Sequence, residues 1–127
     1  MPASHETVDK KLHSVFMAGN EVFKNAVRTM EAAAIGILER NGVDPSQISL
    51  CIPHQANIRI IEALQKRLGL PDEKVYVNIH RYGNISSATI PIGMYEALQE
   101  GRIKPGDLVL LVSFGAGFVW ASALVRF

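Results

Sequence analysis

Residues 49–58, S-L-C-I-P-H-Q-A-N-I, carry an apolar run directly into a polar segment. The run over 48–52 predicts a buried strand. Apolar residues then recur at helical spacing at Ile58, Ile61, Leu64 and Leu68. His54, Gln55 and Asn57 therefore lie where a strand gives way to a helix, a junction at which scaffolds often expose reactive groups.

The rest of the chain repeats this alternation. Further strands are predicted at 13–17, 75–79, 107–114 and 118–125, and further helices at 20–41 and 87–99. Asn20 is the predicted cap of the first long helix, and Asp44 begins a predicted single turn. The order β-α-β-α-β-α-β-β predicts an α/β fold, with helices on the faces of a mixed, mainly parallel five-stranded sheet whose last strand is antiparallel.

Composition sets the class of protein. The 127 residues are 48% hydrophobic and carry a formal net charge of +1, which is typical of one globular domain and argues against a nucleic-acid-binding surface. No apolar run approaches the roughly 20 residues of a membrane span, and no leader-like segment is evident. A single cysteine fits a reducing compartment. We therefore expect a cytoplasmic domain spanning 1–127.

Three segments follow predicted strand ends: the polar segments 53–57 and 80–87, and Gly115-Ala116-Gly117. Ligands bind beyond the carboxyl ends of strands in such sheets, so we expect a site where these segments converge. Alone, His54 is more often structural and Asn84 more often a turn or cap residue. Together, a neutral imidazole and an amide can both donate hydrogen bonds to one developing oxyanion.

Other sites are less well supported. A Cys51–His54 dyad is opposed by strand geometry, so Cys51 is expected to be a buried structural thiol. Cys51, His54 and His80 lack a metal-ligand spacing, and no metal site is predicted. Gly115-Ala116-Gly117 fails as a dinucleotide loop because Trp120 stands where a third glycine belongs. A plain hairpin turn and an anion-binding backbone loop both remain open for it.

Four motifs together resemble one enzyme family. They are P-H-Q-A-N-I-R-I at 53–60, Y-G-N-I-S-S-A at 82–88, G-R-I-K-P-G-D at 101–107 and F-G-A-G-F-V-W at 114–120. The combination closely resembles β-ketoacyl-acyl-carrier-protein synthase III, of the thiolase superfamily. The resemblance covers practically the whole chain but only the C-terminal half of the family's chain. It implies one of two duplicated thiolase-like halves.

The resemblance also implies a reaction and a catalytic triad. A cysteine takes a short acyl group from acyl-CoA, and malonyl-acyl-carrier protein condenses with it after losing carbon dioxide, which starts fatty-acid synthesis. The triad histidine and asparagine match His54 and Asn84. The nucleophilic cysteine belongs to the N-terminal half, and Cys51 does not match it, so the isolated chain is expected to be inactive in condensation. No cofactor is implied, since the substrates carry CoA or phosphopantetheine.

Further roles follow from the same resemblance. The loop Gly115-Ala116-Gly117, where the family commonly has glycine in place of Ala116, would offer a backbone N–H to the acyl-enzyme oxyanion. Asn57 would line the pantetheine or active-site region. Arg59, otherwise a solvated charge or a contact for an acidic partner or phosphate, would help dock the acyl-carrier protein. The N-terminal half and, in the complete enzyme, a second copy in a homodimer are further implied partners. Two alternatives stay open: a non-catalytic module that binds carrier protein or a subunit, and a related thiolase-superfamily condensing enzyme.

Overall fold

The computed structural model describes residues 2–13 and 18–127. Its first element is the short helix α1 (His5–Asp9), which Ser4 caps. The strand predicted at 13–17 lies outside the described residues except for His13, which is in a turn. Within the described part of the chain, no helix combines the length and apolar character that a membrane crossing needs.

Helix α2 (Gly19–Arg40) confirms the first long helix predicted from the sequence. The prediction of Asn20 as its cap is wrong, because the helical hydrogen bonds already begin with Val22 N donating to Ala18 O at 3.0 Å. Ala18 takes the cap position without a side-chain hydrogen bond. The buried face follows the predicted helical period, at Ala26, Val27, Met30, Ala34 and Leu38.

The predicted turn after α2 is a 3₁₀ turn, Pro45–Gln47. The Asp44 carboxylate accepts from Ser46 N at 2.8 Å, and Gln47 Oε1 accepts from Asp44 N at 2.8 Å. These reciprocal bonds satisfy the orphan N–H groups of the turn. The chain then enters the sheet.

The sheet has three strands in the described residues: β1 (Leu50–Pro53), β2 (Leu108–Gly115) and β3 (Val119–Arg126). Their order is β1-β2-β3, with β1 parallel and β3 antiparallel to β2. Helix α3 (Ile58–Leu68) follows β1, as predicted. The parallel pair and the antiparallel last strand are confirmed.

Among the described residues the five-stranded sheet is not observed, because the strand predicted at 75–79 is reduced to one bridge between Cys51 and Val75. The side chain of Gln55 takes the place of a continuing partner strand. Its Nε2 donates to Tyr76 O at 3.1 Å, and its Oε1 accepts from Asn78 N at 3.0 Å. The backbone is thus satisfied without a ladder, and the chain turns into the short helix α4 (Ile79–Tyr82).

Helices cover both faces of the sheet, as predicted. Residues of α2, α3 and β2 share one core cluster that includes Met30, Leu64 and Leu110. The other cluster joins Ile52 and Val109 of the strands to Ala97 of helix α5 (Thr89–Gln99). A 3₁₀ turn, Ser86–Ala88, precedes α5, and Pro91 falls in its first turn as expected.

Candidate active site

A cavity of about 650 Å³ lies at the carboxyl ends of β1 and β2. All three segments predicted to converge contribute to its lining. From those segments it includes His54, Asn57, Asn84, Ser86, Gly115 and Ala116. The convergence of these loops is therefore confirmed. Phe23 of α2 and the exposed Trp120 of β3 also line this cavity. Neither is predicted from the sequence, although an aromatic residue after a glycine-rich loop is a usable signal for Trp120.

His54 is fixed at the end of β1 by backbone and side-chain contacts. Its N–H donates to Val112 O at 2.8 Å, which continues the pairing with β2 for one residue. The half-buried ring places Nδ1 2.6 Å from Oγ1 of the buried Thr89. Burial lowers the pKa of His54 below its usual value, because a desolvated imidazolium loses its hydration. The neutral ring is favoured near pH 7.

Asn84 reaches the cavity from a loop with unusual backbone geometry. Gly83 has φ of +67°, and Ser86 has φ of +54°, a left-handed value that a serine rarely adopts. Asn84 Oδ1 accepts from Ser86 N at 3.0 Å, so Asn84 does form the turn contact that a structural role requires. Its Nδ2 makes no hydrogen bond to any described residue, and these two N–H groups are the donors it offers to a ligand.

A polar cluster behind Asn84 holds the segment that leads to it. The carboxylate of Glu96, on α5, accepts from Asn78 Nδ2 at 2.8 Å and from the hydroxyl of Tyr82 at 2.5 Å. Arg81 Nη1 donates to the same carboxylate at 3.1 Å. The hydrogen bond from Asn78 is the main cause of a lowered Glu96 pKa. Helix α5 thereby fixes the segment just before Gly83.

Asn57 and Arg59 mark the outer side of the site. Asn57 lines the cavity and also caps α3, since its Oδ1 accepts from Arg59 N at 2.9 Å. The capping role was not anticipated. Arg59 is exposed and lies outside the cavity lining, with its guanidinium 5.9 Å from the ring centre of Phe23.

The loop Gly115-Ala116-Gly117 joins β2 to β3, so the hairpin interpretation is confirmed. Gly117 has φ of +100°, whereas Ala116 has no positive φ. Alanine is therefore compatible with the loop, and the turn needs glycine's freedom only at Gly117. The rings of Phe114 and Phe118 pack across the turn with centres 5.7 Å apart.

Cys51 does not belong to the cavity. It is a free thiol buried in the core on β1, as predicted, and burial raises its pKa to about 12. A thiol so protonated is a poor nucleophile at neutral pH. Among residues 2–13 and 18–127, no three His, Cys, Asp or Glu side chains are grouped to hold a metal ion, and Cys51, His54 and His80 form no such group.

Comparison with known proteins identifies the family. The family model described as 3-oxoacyl-[acyl-carrier-protein (ACP)] synthase III C terminal matches residues 38–127. The chain is 56% identical over 126 residues to the β-ketoacyl-[acyl-carrier-protein] synthase III of Caldanaerobacter subterraneus, covering 99% of this chain and 38% of the relative. The chain thus spans less than half the length of such curated relatives.

Solved structures agree with this similarity. The crystal structure of 3-oxoacyl-[acyl-carrier-protein] synthase III from Aquifex aeolicus superposes with a TM-score of 0.87 at 52% identity, over 88% of this chain and 36% of that one. The Thermus thermophilus synthase III structure gives 0.86 at 54% identity, over 88% and 35% of the two chains. The chain belongs to the β-ketoacyl-acyl-carrier-protein synthase III family and has the thiolase-like fold of its C-terminal part.

Proposed function

We propose that this chain is the part of a β-ketoacyl-acyl-carrier-protein synthase III that supplies the histidine and asparagine of its catalytic triad. The complete enzyme would condense a short acyl-CoA with malonyl-acyl-carrier protein and so start fatty-acid synthesis. One observation carries this proposal: His54 and Asn84, 30 positions apart in the sequence, line the same cavity at the carboxyl edge of the sheet.

The two residues act on the malonyl thioester oxygen. As the bond to the carboxylate breaks and carbon dioxide leaves, the electron pair moves into an enolate whose charge builds on that oxygen. Asn84 Nδ2 has no other described partner, and the ring of His54 has Nε2 left once Nδ1 is bound to Thr89. Donors aimed at the developing charge lower the barrier, because they need no rearrangement as the reaction proceeds.

The enolate carbon then attacks the acyl group on the cysteine supplied by the N-terminal half. The hairpin loop at Gly115 and Ala116, which lies on the cavity wall, would offer a backbone N–H to the oxyanion formed in that step. Asn57 would border the pantetheine arm, and the exposed Arg59 would contact the acidic carrier protein. No cofactor is needed, because the thioesters are themselves activated.

Under this assignment the chain needs the N-terminal half of the enzyme for activity. The N-terminal half would bring the nucleophile, acyl-CoA and acyl-carrier protein would be the substrates, and the complete enzyme would be a homodimer. The thiol that is present, Cys51, is buried away from the cavity and cannot replace the missing nucleophile. The isolated chain should therefore not catalyse condensation.

Joining the chain to the cysteine-bearing N-terminal half of a curated relative tests the proposal. Acetyl-CoA and malonyl-acyl-carrier protein should then yield a β-ketoacyl product, which mass spectrometry of the carrier protein detects. His54→Ala and Asn84→Ala should abolish the product, whereas the exposed-residue control Glu62→Ala should not. Carrier-protein binding with no product from the joined protein would instead support the non-catalytic module. A different preferred acceptor thioester would support a related condensing enzyme.

A further inference from the structure

The residue behind His54, Thr89, makes two contacts through one oxygen. Thr89 is the first residue of α5 and is only 2% exposed. Its Oγ1 lies 2.6 Å from His54 Nδ1 and 3.1 Å from the carbonyl oxygen of Ser86. Both distances are those of hydrogen bonds.

The direction of the two bonds follows from counting protons. The hydroxyl of Thr89 has one proton to donate, and the carbonyl of Ser86 can only accept. Both contacts are hydrogen bonds only when Thr89 O–H donates to Ser86 and His54 Nδ1–H donates to Thr89 Oγ1. In the reverse direction Thr89 Oγ1 would face the Ser86 carbonyl with a lone pair at 3.1 Å, and that carbonyl would keep only its hydrogen bond from the Thr89 backbone N–H.

We propose that Thr89 is a positioning residue that holds neutral His54 in its Nδ1–H tautomer, with the free lone pair on Nε2. A neutral ring in this state accepts a proton at Nε2 and cannot donate one there. Its catalytic meaning rests on the function proposed above: His54 Nε2 takes the proton that the nucleophilic thiol of the N-terminal half loses, CoA leaves the acyl group as its thiolate, and the protonated ring then joins Asn84 as a donor to the substrate oxygen. A neutral His54 ring would therefore not be a hydrogen-bond donor at Nε2, contrary to the expectation from the sequence.

Packing keeps Thr89 at this distance. Gly93 lies one helical turn further along α5, where a Cβ would come within 3.0 Å of Ile52 Cγ2 on β1. The missing side chain lets α5 approach β1 closely, on the same helix face as Thr89. Because His54 directly follows β1, the close contact sets the distance between hydroxyl and ring.

Nitrogen NMR of the chain labelled in its histidine rings tests the tautomer directly. The signals of His54 are assigned by their loss in His54→Ala. The neutral wild-type ring should show a protonated Nδ1 and an unprotonated Nε2. Thr89→Val keeps the side-chain shape and removes the hydroxyl, so the proton should move to Nε2. Thr89→Ser keeps the hydroxyl and should restore the Nδ1–H form.

His13 serves as an internal reference, since its Nε2 rather than Nδ1 lies 2.8 Å from the hydroxyl of Thr7. That ring should carry its proton on Nε2 in every variant. A wild-type His54 with the proton on Nε2, or an unchanged Nδ1–H form in Thr89→Val, would overturn the proposal. If Thr89→Val fails to fold, the wild-type spectrum decides alone. No substrate is involved, so the result stands apart from whether the joined protein condenses.

Discussion

Among polar residues near the site, truncation of Gln55 should destabilise the fold most. Its side chain is 1% exposed and makes four hydrogen bonds, all to backbone groups. Nε2 donates to the carbonyls of Pro53 and Tyr76, and Oε1 accepts from the N–H groups of Asn78 and Ile79. Gln55→Ala would leave all four without this partner.

The expected loss follows from that count. Each buried hydrogen bond contributes about 1 kcal/mol net, so Gln55→Ala should lower the free energy of unfolding by about 4 kcal/mol. Gln65→Ala is the matched control, because Gln65 is only half-buried and makes two hydrogen bonds, to Leu70 O and the Asp72 carboxylate. The control should lose about 1 kcal/mol, since exposed bonds compete with water.

Urea unfolding followed by circular dichroism measures both losses, because the midpoint and slope give the free energy of unfolding.

A second variant of Gln55 tests the pH dependence of stability. Gln55→Glu places an oxygen between two carbonyls, which should raise the folded-state pKa of the new carboxyl above its unfolded value of about 4.3. Its stability deficit relative to wild type should be smallest below about pH 4.3 and grow as pH rises through the folded pKa.

The reasoning about Gln55 would be refuted by a loss in Gln55→Ala no larger than in Gln65→Ala. It would also fail if the deficit of Gln55→Glu did not change with pH. Either result would mean that the 76–79 segment holds its shape without the Gln55 side chain.

Three further substitutions test other contacts by the same unfolding measurement. Gly93→Ala should cost about 1–3 kcal/mol, because the new Cβ overpacks against Ile52. Asn57→Ala should lower the free energy of unfolding by about 1 kcal/mol, because the α3 cap is lost. Asn57→Asp should keep most of the cap's stabilisation, since aspartate also accepts from the first N–H groups of a helix. Glu96→Gln should be less stable than wild type at neutral pH; since the Glu96 pKa is lowered mainly by Asn78, the gap should close as pH falls below about 4.3.

Each of these expectations has a contrary result. An unchanged midpoint for Gly93→Ala would mean that α5 can shift away from β1. Equal losses in both Asn57 variants would remove the cap as the cause. A gap for Glu96→Gln that persists at low pH would mean that the carboxylate's charge does not contribute to stability.

Local patterns explain how much of the fold the sequence predicted. Helices α2, α3 and α5 follow apolar periods within one element, and the Asp44 turn depends on side chains three residues apart. The strand at 75–79 was over-predicted for a non-local reason. Its apolar residues suit a strand, but the side chain of Gln55, more than 20 positions away, pairs with the backbone there.

Local patterns also predicted the outline of the site. They show where the strands end, and loops that follow parallel strands meet at one edge of the sheet. The contact of Thr89 with His54 spans 35 positions, and the Glu96 cluster depends on how α5 lies over the preceding segment. No sequence period encodes either contact. Only the packed structure brings these supporting residues to the site.

A double-mutant cycle on His54 and Asn84 tests the central claim most directly. The chain joined to a cysteine-bearing N-terminal half would be assayed for decarboxylation of malonyl-acyl-carrier protein, as His54→Ala, Asn84→Ala and the double variant. If both residues serve one oxygen, each single change should remove most of the rate and the double variant should lose little more. Independent losses that multiply, or a full rate in either single variant, would contradict the account.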